Sequence, residues 1–258
     1  MHHCLTNDPQ LQAALALLRQ VLGPNLLALY LHGSAVTGGL RPQSDIDLLA
    51  TVEQGLDQQQ RKALTAGLLR LSARHPAIAG GPRCLELLVF RQADLDEPDC
   101  APRAELVYGE WLRTDFENGK LPMPHADPEY RLLLAQARLQ AVALLGTNAA
   151  RMLPDTSPEQ VRQAMARALP ALLQGLHGDE RNVLLTLARM WRTAQAGDFL
   201  GKDQAATWAI AQLPAQLAGT LEYARSAYLG QRVDDWSDKQ AQAGQLARVL
   251  RERIGELP

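Results

Sequence analysis

The sequence predicts an α/β domain followed by an all-α helical bundle, and three observations carry that prediction. In the first half, short apolar runs over 26–31, 46–52 and 84–90 alternate with stretches of helical periodicity. After Gly146, residues 147–158 are rich in small residues and prolines, and everything beyond them reads as helix. With 258 residues and 47% hydrophobic content, the chain can bury the core of one large or two modest domains. The boundary is placed to give domains 1–157 and 158–258.

Taken in order, Leu11, Leu15, Leu18 and Leu22 recur at helical spacing, and Gly23-Pro24 ends the pattern. The runs 26–31 and 46–52 read as strands joined by a Gly/Pro-containing loop. A helix is predicted from Asp57 to about Ser72, and after the Gly80-Gly81-Pro82 turn a third strand covers 84–90. Glu105 to Trp111 fits strand and helix equally. Asn118-Gly119 marks a turn, and a helix is predicted over roughly 128–145. In the second half, Ser157-Pro158 reads as an N-cap with proline in the first turn, and Asp179 as the N-cap of a helix carrying Val183, Leu184, Leu187 and Trp191 on one face. Gly197 closes it. Further helices are predicted from Asp203, from Pro214 to Gly230, and from Trp236 to about Ile254.

A formal net charge of −2 and a pI near 6.3 leave no cationic excess for gripping a nucleic-acid backbone, so a small-molecule partner fits better. Cys4, Cys84 and Cys100 show neither CxxC spacing nor an even count, which argues against a disulfide framework or structural zinc and for a reducing compartment. No stretch approaches the ~18 apolar residues of a membrane span, and the first thirty residues lack a basic segment followed by an unbroken apolar run. A cytoplasmic location is expected.

The strongest chemical signal is Gly33-Ser34, ten intervening residues, then Asp45-Ile46-Asp47-Leu48 at the start of a strand. Positions two apart on a strand project from one face about 6.5–7 Å apart, so both carboxylates can enter one site. At an effective dielectric near 20 their repulsion is roughly 2.5 kcal/mol. A divalent cation offsets it, and magnesium suits hard carboxylate oxygens together with nucleotide phosphates. The alternative is a solvated edge strand, which leaves the Gly-Ser element unexplained. Glycine there lets backbone N–H groups face phosphate oxygens, and Ser34 adds a hydroxyl. Glu86 interrupts an otherwise apolar strand. Beside Asp45 and Asp47 it would complete a three-carboxylate cluster able to touch a metal and take a proton, and the alternative is a strand end near solvent.

This pattern resembles the nucleotidyltransferase fold of the polymerase-beta superfamily. More narrowly, Leu31-His32-Gly33-Ser34-Ala35, Ser44-Asp45-Ile46-Asp47-Leu48-Leu49, Gly109-Glu110-Trp111, Gly178-Asp179-Glu180-Arg181-Asn182-Val183 and Tyr228-Leu229-Gly230 are similar to the streptomycin/spectinomycin adenylyltransferases, the AadA family. The resemblance spans nearly the whole chain. It implies an α/β (α+β) nucleotidyltransferase domain with a mixed sheet, then an all-α helical bundle, and ATP bound between them. It also implies Asp45, Asp47 and Glu86 holding Mg2+, two ions in all, with Glu86 the general base. Ser34, Ser44, Asp127, Arg189, Lys202 and Tyr228 match ATP-binding positions, and Glu86, Trp111 and Asp179 match drug contacts. A triphosphate calls for cations, and an aminoglycoside calls for carboxylates and an aromatic face. From the residues alone, the favoured readings are Arg189 as a solvated helix residue, Trp111 as a core aromatic, Asp179 as only an N-cap and Lys202 as a loop charge.

The implied reaction is in-line attack of a drug hydroxyl on the α-phosphorus of ATP, with pyrophosphate leaving and no covalent enzyme intermediate, and a monomer is the default expectation. Upstream of Asp179, dual-specificity members carry a Trp and an Asp where this chain has Pro170 and Gly175, which predicts a preference for spectinomycin over streptomycin. His32 stands where a tyrosine is common. Two rival readings are a non-catalytic antitoxin-like module, which is usually shorter, and a housekeeping enzyme acting on RNA or protein, which calls for a basic or docking surface.

Overall fold

Asp8 starts helix α1 (Pro9–Leu22) by accepting the Gln10 and Leu11 N–H groups, while Pro9 occupies the first turn, where no N–H is needed. The computed structural model describes residues 8–78, 80–95 and 101–255. They fall in two compact units, 1–156 and 157–258. Cys4 and Cys100 lie outside the described residues, and Cys84 is a buried thiol.

The first unit continues through β1 (Leu26–His32), β2 (Ile46–Val52), α2 (Gln58–Leu71), β3 (Leu85–Arg91), a short α3 (Gln92–Leu95), β4 (Arg103–Tyr108), α4 (Arg113–Glu117), β5 (His125–Ala126), α5 (Glu129–Gln140), β6 (Val142–Leu145) and α6 (Ala149–Met152). Their sheet has the order β5-β4-β3-β2-β1-β6. It is mixed: β2 and β3 run parallel, joined by α2, and every other pair is antiparallel. Alternation along β2 and β3 sorts the residues by face. Leu48, Ala50, Leu85, Leu87 and Val89 pack with Leu11, Leu18, Leu64 and Leu68 of α1 and α2. Leu49, Leu88 and Phe90 pack with Tyr30 and with Leu134 and Ala137 of α5. Each leucine buried this way is worth about 2 kcal/mol.

The helix expected over 128–145 is shorter than predicted. It ends at Gln140, Ala141 turns extended, and Val142–Leu145 becomes β6, pairing with the outer edge of β1. The edge of β1 would otherwise leave its N–H and C=O groups unpaired, and satisfying them outweighs helix propensity in this alanine- and leucine-rich segment. Gly146 permits the exit: its φ is +80°, and an added Cβ would lie 2.4 Å from the Leu27 carbonyl oxygen. The ambiguous stretch 105–111 resolves as the end of β4 followed by a turn.

The second unit comprises α7 (Pro158–Gln174), α8 (Glu180–Ala196), α9 (Lys202–Ile210), α10 (Ala215–Tyr228) and α11 (Gln240–Gly255). Ser157 and Gln160 close a capping box at the start of α7. Helix α8 is central, touching the four others, and it buries Val183, Leu184, Leu187 and Trp191 before Gly197 ends it at φ +73°. No helix among the described residues is long and apolar enough to cross a membrane.

Candidate active site

The carboxylates are placed by strand register. Asp47 of β2 pairs across the parallel ladder with Glu86 of β3, and across the antiparallel ladder with His32 of β1. Asp45 sits just before β2, where the Ile46 N–H donates to the Cys84 carbonyl at 2.9 Å. Ile46 points into the α1/α2 core, so Asp45 and Asp47 on either side of it lie on the opposite face, that of Glu86. All three are half-buried, and Glu86 is the second residue of β3, near the strand's start. Among the described residues, no group of three or more His, Cys, Asp or Glu side chains is gathered closely enough to hold an ion.

Gly33 belongs where it is for a steric reason. Its φ is +65°, and a Cβ would fall 1.9 Å from Asp47 Oδ2, so only glycine lets the turn after β1 lie against that carboxylate. The Gly33 carbonyl accepts the Val36 and Thr37 N–H groups and the Thr37 hydroxyl, closing the turn that carries Ser34. The loop before Asp45 is tied in the same detail. The buried Ser44 Oγ accepts the Arg41 N–H, while the Arg83 guanidinium donates to the Arg41 and Ser44 carbonyls at 2.8 and 2.9 Å. Gln10 fixes Arg83 in turn, donating to its carbonyl and accepting its N–H. His32 is 8% exposed, its Nε2 has no hydrogen-bond partner, and burial lowers its pKa to about 4, against a smaller opposing effect of the Leu48 backbone.

Asp127 lies just before α5, accepting the Glu129 N–H at 2.8 Å. Tyr130, which sequence reasoning missed, links it to the carboxylate face. Its ring packs edge-on against Phe90 at 5.6 Å and its hydroxyl lies 3.2 Å from His125 Nδ1. Burial, then Asp127, Glu86 and Glu129, push the Tyr130 phenol up to about 12. The signal lay four residues along β3: Phe90 shares a face with Glu86, so an aromatic on the covering helix approaches both. Trp111 is 63% exposed and so is no core aromatic. It rests on Gly109, where a Cβ would stand 2.2 Å from the indole ring. Between them, Glu110 is anchored by Arg113, Ser72 and Tyr108.

In the helical unit, Asp179, Asn182, Lys202 and Tyr228 come together. Asp179 Oδ1 accepts the Asn182 amide at 2.7 Å, Lys202 Nζ lies 3.4 Å from Asn182 Oδ1, and the same ammonium stands over the Tyr228 ring at 6.0 Å. Lys202 opens α9 instead of lying in a loop. Asp179 occupies the N-cap position of α8, but its side chain makes no cap hydrogen bond, so the cap reading fails for its carboxylate. The adjacent Glu180 is turned to structure instead, accepting the Gly178 N–H. Arg189 lies seven residues beyond Asn182 on α8, hence on the same helical face, half-buried.

Residues 16–91, which hold β1 to β3 and the carboxylates, match the family described as "Nucleotidyltransferase domain", and residues 151–253 match "Aminoglycoside adenylyltransferase, C-terminal domain". A spectinomycin 9-adenylyltransferase of Staphylococcus aureus is 38% identical over 240 residues, 93% of this chain and 92% of that protein. The chain belongs to the aminoglycoside adenylyltransferase family. An aminoglycoside (3'') (9) adenylyltransferase of Escherichia coli is 39% identical over 248 residues, covering 95% of this chain and 94% of the relative. The crystal structure of a spectinomycin adenyltransferase from Enterococcus faecialis, solved with ATP and spectinomycin, superposes with a TM-score of 0.90 at 28% identity, over 95% of this chain and 98% of that one. The fold of this aminoglycoside adenylyltransferase is therefore a mixed-sheet nucleotidyltransferase domain with a helical C-terminal region. The rival readings as a non-catalytic module or an enzyme of RNA or protein lose their ground.

Proposed function

We propose that this aminoglycoside adenylyltransferase transfers AMP from ATP to a hydroxyl of spectinomycin, the 9-OH, with streptomycin at its 3''-OH a poorer substrate. The observation that carries the reading is the pairing of Asp47 with Glu86 beside the Gly33-Ser34 turn. In-line attack needs an acceptor for the hydroxyl proton, and Glu86 is the carboxylate assigned to it. Asp45, Asp47 and Glu86 share one face of the sheet and offer only hard oxygen donors, a chemistry that suits Mg2+, and they would draw together to hold the ion. When bound, the ion supplies charge neutralisation for the triphosphate. Titration with Mg2+ of the wild type and of Asp47→Asn tests that ligand set, and the variant is expected to bind the ion more weakly.

Ser34 and Ser44 are assigned to phosphate oxygens, and Ser44 keeps its O–H to donate, since its oxygen is the acceptor for Arg41. Asp127, Arg189, Lys202 and Tyr228 are assigned to the nucleotide, with Lys202 steadied by Asn182 and Tyr228. Trp111, exposed and close over Gly109, and Asp179 with Glu86 are assigned to the drug. Pro170 and Gly175, both exposed, give streptomycin neither an aromatic platform nor a carboxylate for its guanidinium groups. The protein is taken to act as a monomer in the cytoplasm, where ATP is available.

Pyrophosphate release from Mg-ATP, compared for spectinomycin, streptomycin and kanamycin, tests the reading. Release is expected with spectinomycin, weakly with streptomycin and not with kanamycin. Efficient use of streptomycin would sink the preference, and silence with all three would sink the substrate class.

A further inference from the structure

Carboxylates crowd the start of α8. A cavity of about 240 Å3 there is lined by Asp179, Glu180, Arg181, Asp234, Asp235 and Trp236, among others. Most of these acids are committed to structure. Glu180 is 4% exposed and accepts the Gly178 N–H and the Gln240 amide, and Asp235 accepts the N–H and hydroxyl of Ser237. Asp234 accepts the Trp236 indole N–H at 2.8 Å through one oxygen and pairs with Arg181 at 3.0 Å through the other. The loop carrying Asp234 is clasped by Tyr223, whose hydroxyl donates to the Asp235 carbonyl at 2.7 Å and whose ring packs edge-on against Trp236 at 4.9 Å. Asp179 differs: it is exposed, and its partner is the neutral Asn182 amide.

We propose that Asp234 is a positioning residue for drug recognition: by pairing with Arg181 it diverts that guanidinium from Asp179, leaving the Asp179 carboxylate to receive a cationic group of the substrate. The proposal rests on the assignment of Asp179 as a drug contact. Arg181 is two residues from Asp179, and its side chain is only 15% exposed, so water screens its field weakly. An arginine left to pair with Asp179 would compete directly with a substrate ammonium, because a carboxylate binds whichever cation reaches it with the smaller ordering cost. Desolvation at the cavity wall raises the Asp179 pKa. The Asn182 hydrogen bond, then Lys202 and Arg181, act in the opposite direction, and Asp234 adds to the rise, so both members of the neighbouring pair reach the carboxylate as smaller effects.

The test uses the full chain and steady-state kinetics with Mg-ATP and spectinomycin. Asp234→Asn keeps an acceptor for the Trp236 indole but removes the charge that holds Arg181. It is expected to raise KM for spectinomycin about tenfold while KM for ATP and kcat stay within about twofold. Adding Arg181→Gln to the same chain is expected to return the drug KM to near the wild-type value, a rescue that a merely structural loop would not give. If Asp234→Asn fails to fold, Arg181→Gln alone keeps the proposal exposed, since it predicts an unchanged or lower drug KM and a raised one contradicts it. An unchanged drug KM in Asp234→Asn, or a rise that the second change does not reverse, overturns the proposal. Wild-type protein that does not adenylylate spectinomycin overturns the substrate assignment itself, and this proposal with it.

Discussion

At the scale of single residues, the site depends on close approaches that one atom would spoil. Gly33 is the sharpest case, because its φ of +65° and the 1.9 Å that would separate an added Cβ from Asp47 Oδ2 both exclude a side chain. Gly33→Ala is expected to abolish adenylyl transfer and to cost about 1–3 kcal/mol of stability, the strain of a left-handed non-glycine residue, read by urea unfolding. A variant with normal turnover would contradict this account of the turn. His32 gives a second prediction. Its pKa of about 4 when folded lies below the ordinary 6.5, so unfolding takes up a proton anywhere between those values. Above pH 6.5 the group adds no pH dependence. As pH falls from 6.5 to about 4, stability drops by ~1.4 kcal/mol per unit, about 3 kcal/mol in all. His32→Phe is expected to flatten that slope in denaturant titrations at pH 7 and pH 4.5, and an unaltered slope would assign it to other groups.

At the scale of elements, what was legible in the sequence followed local rules, and what was not followed tertiary ones. The strands carrying Asp47 and Glu86 were legible from short apolar runs, and the helix start at Ser157 from its N-cap residue followed by proline. Strand β6 was not, because Ala141 to Leu145 has helix-forming composition and becomes extended only to satisfy the edge of β1. Asp179 was half legible: the N-cap position was right, but which of two adjacent acids, Asp179 or Glu180, bonds the helix end depends on Gln240, sixty residues away from Glu180. Tyr130 escaped notice because its meaning depends on α5 crossing the Phe90 face, a contact that no local pattern encodes. Gly146→Ala tests the β6 account. With φ at +80° and the Leu27 carbonyl oxygen 2.4 Å from the added carbon, it is expected to cost about 2–4 kcal/mol and to lower Tm, whereas a neutral effect would mean that β6 is dispensable to the sheet.

At the scale of the whole molecule, the chain joins a sheet that sets carboxylates by register to a helical unit whose Asn182 and Tyr228 flank the Lys202 ammonium. A near-neutral net charge of −2 suits a protein that meets a polyanionic nucleotide and a cationic drug in turn, since a strong field of either sign would repel one of them. The assignment of Glu86 as the proton acceptor holds the proposed chemistry together. The most direct test is mass spectrometry of spectinomycin after incubation with Mg-ATP and either the wild-type protein or Glu86→Gln, with ATP binding to both verified by calorimetry. Adenylylated spectinomycin from the wild type, and product formation slowed by about a thousandfold or more in a Glu86→Gln protein that still binds ATP, is the predicted result. Equal rates of adenylylation by the two proteins would contradict it.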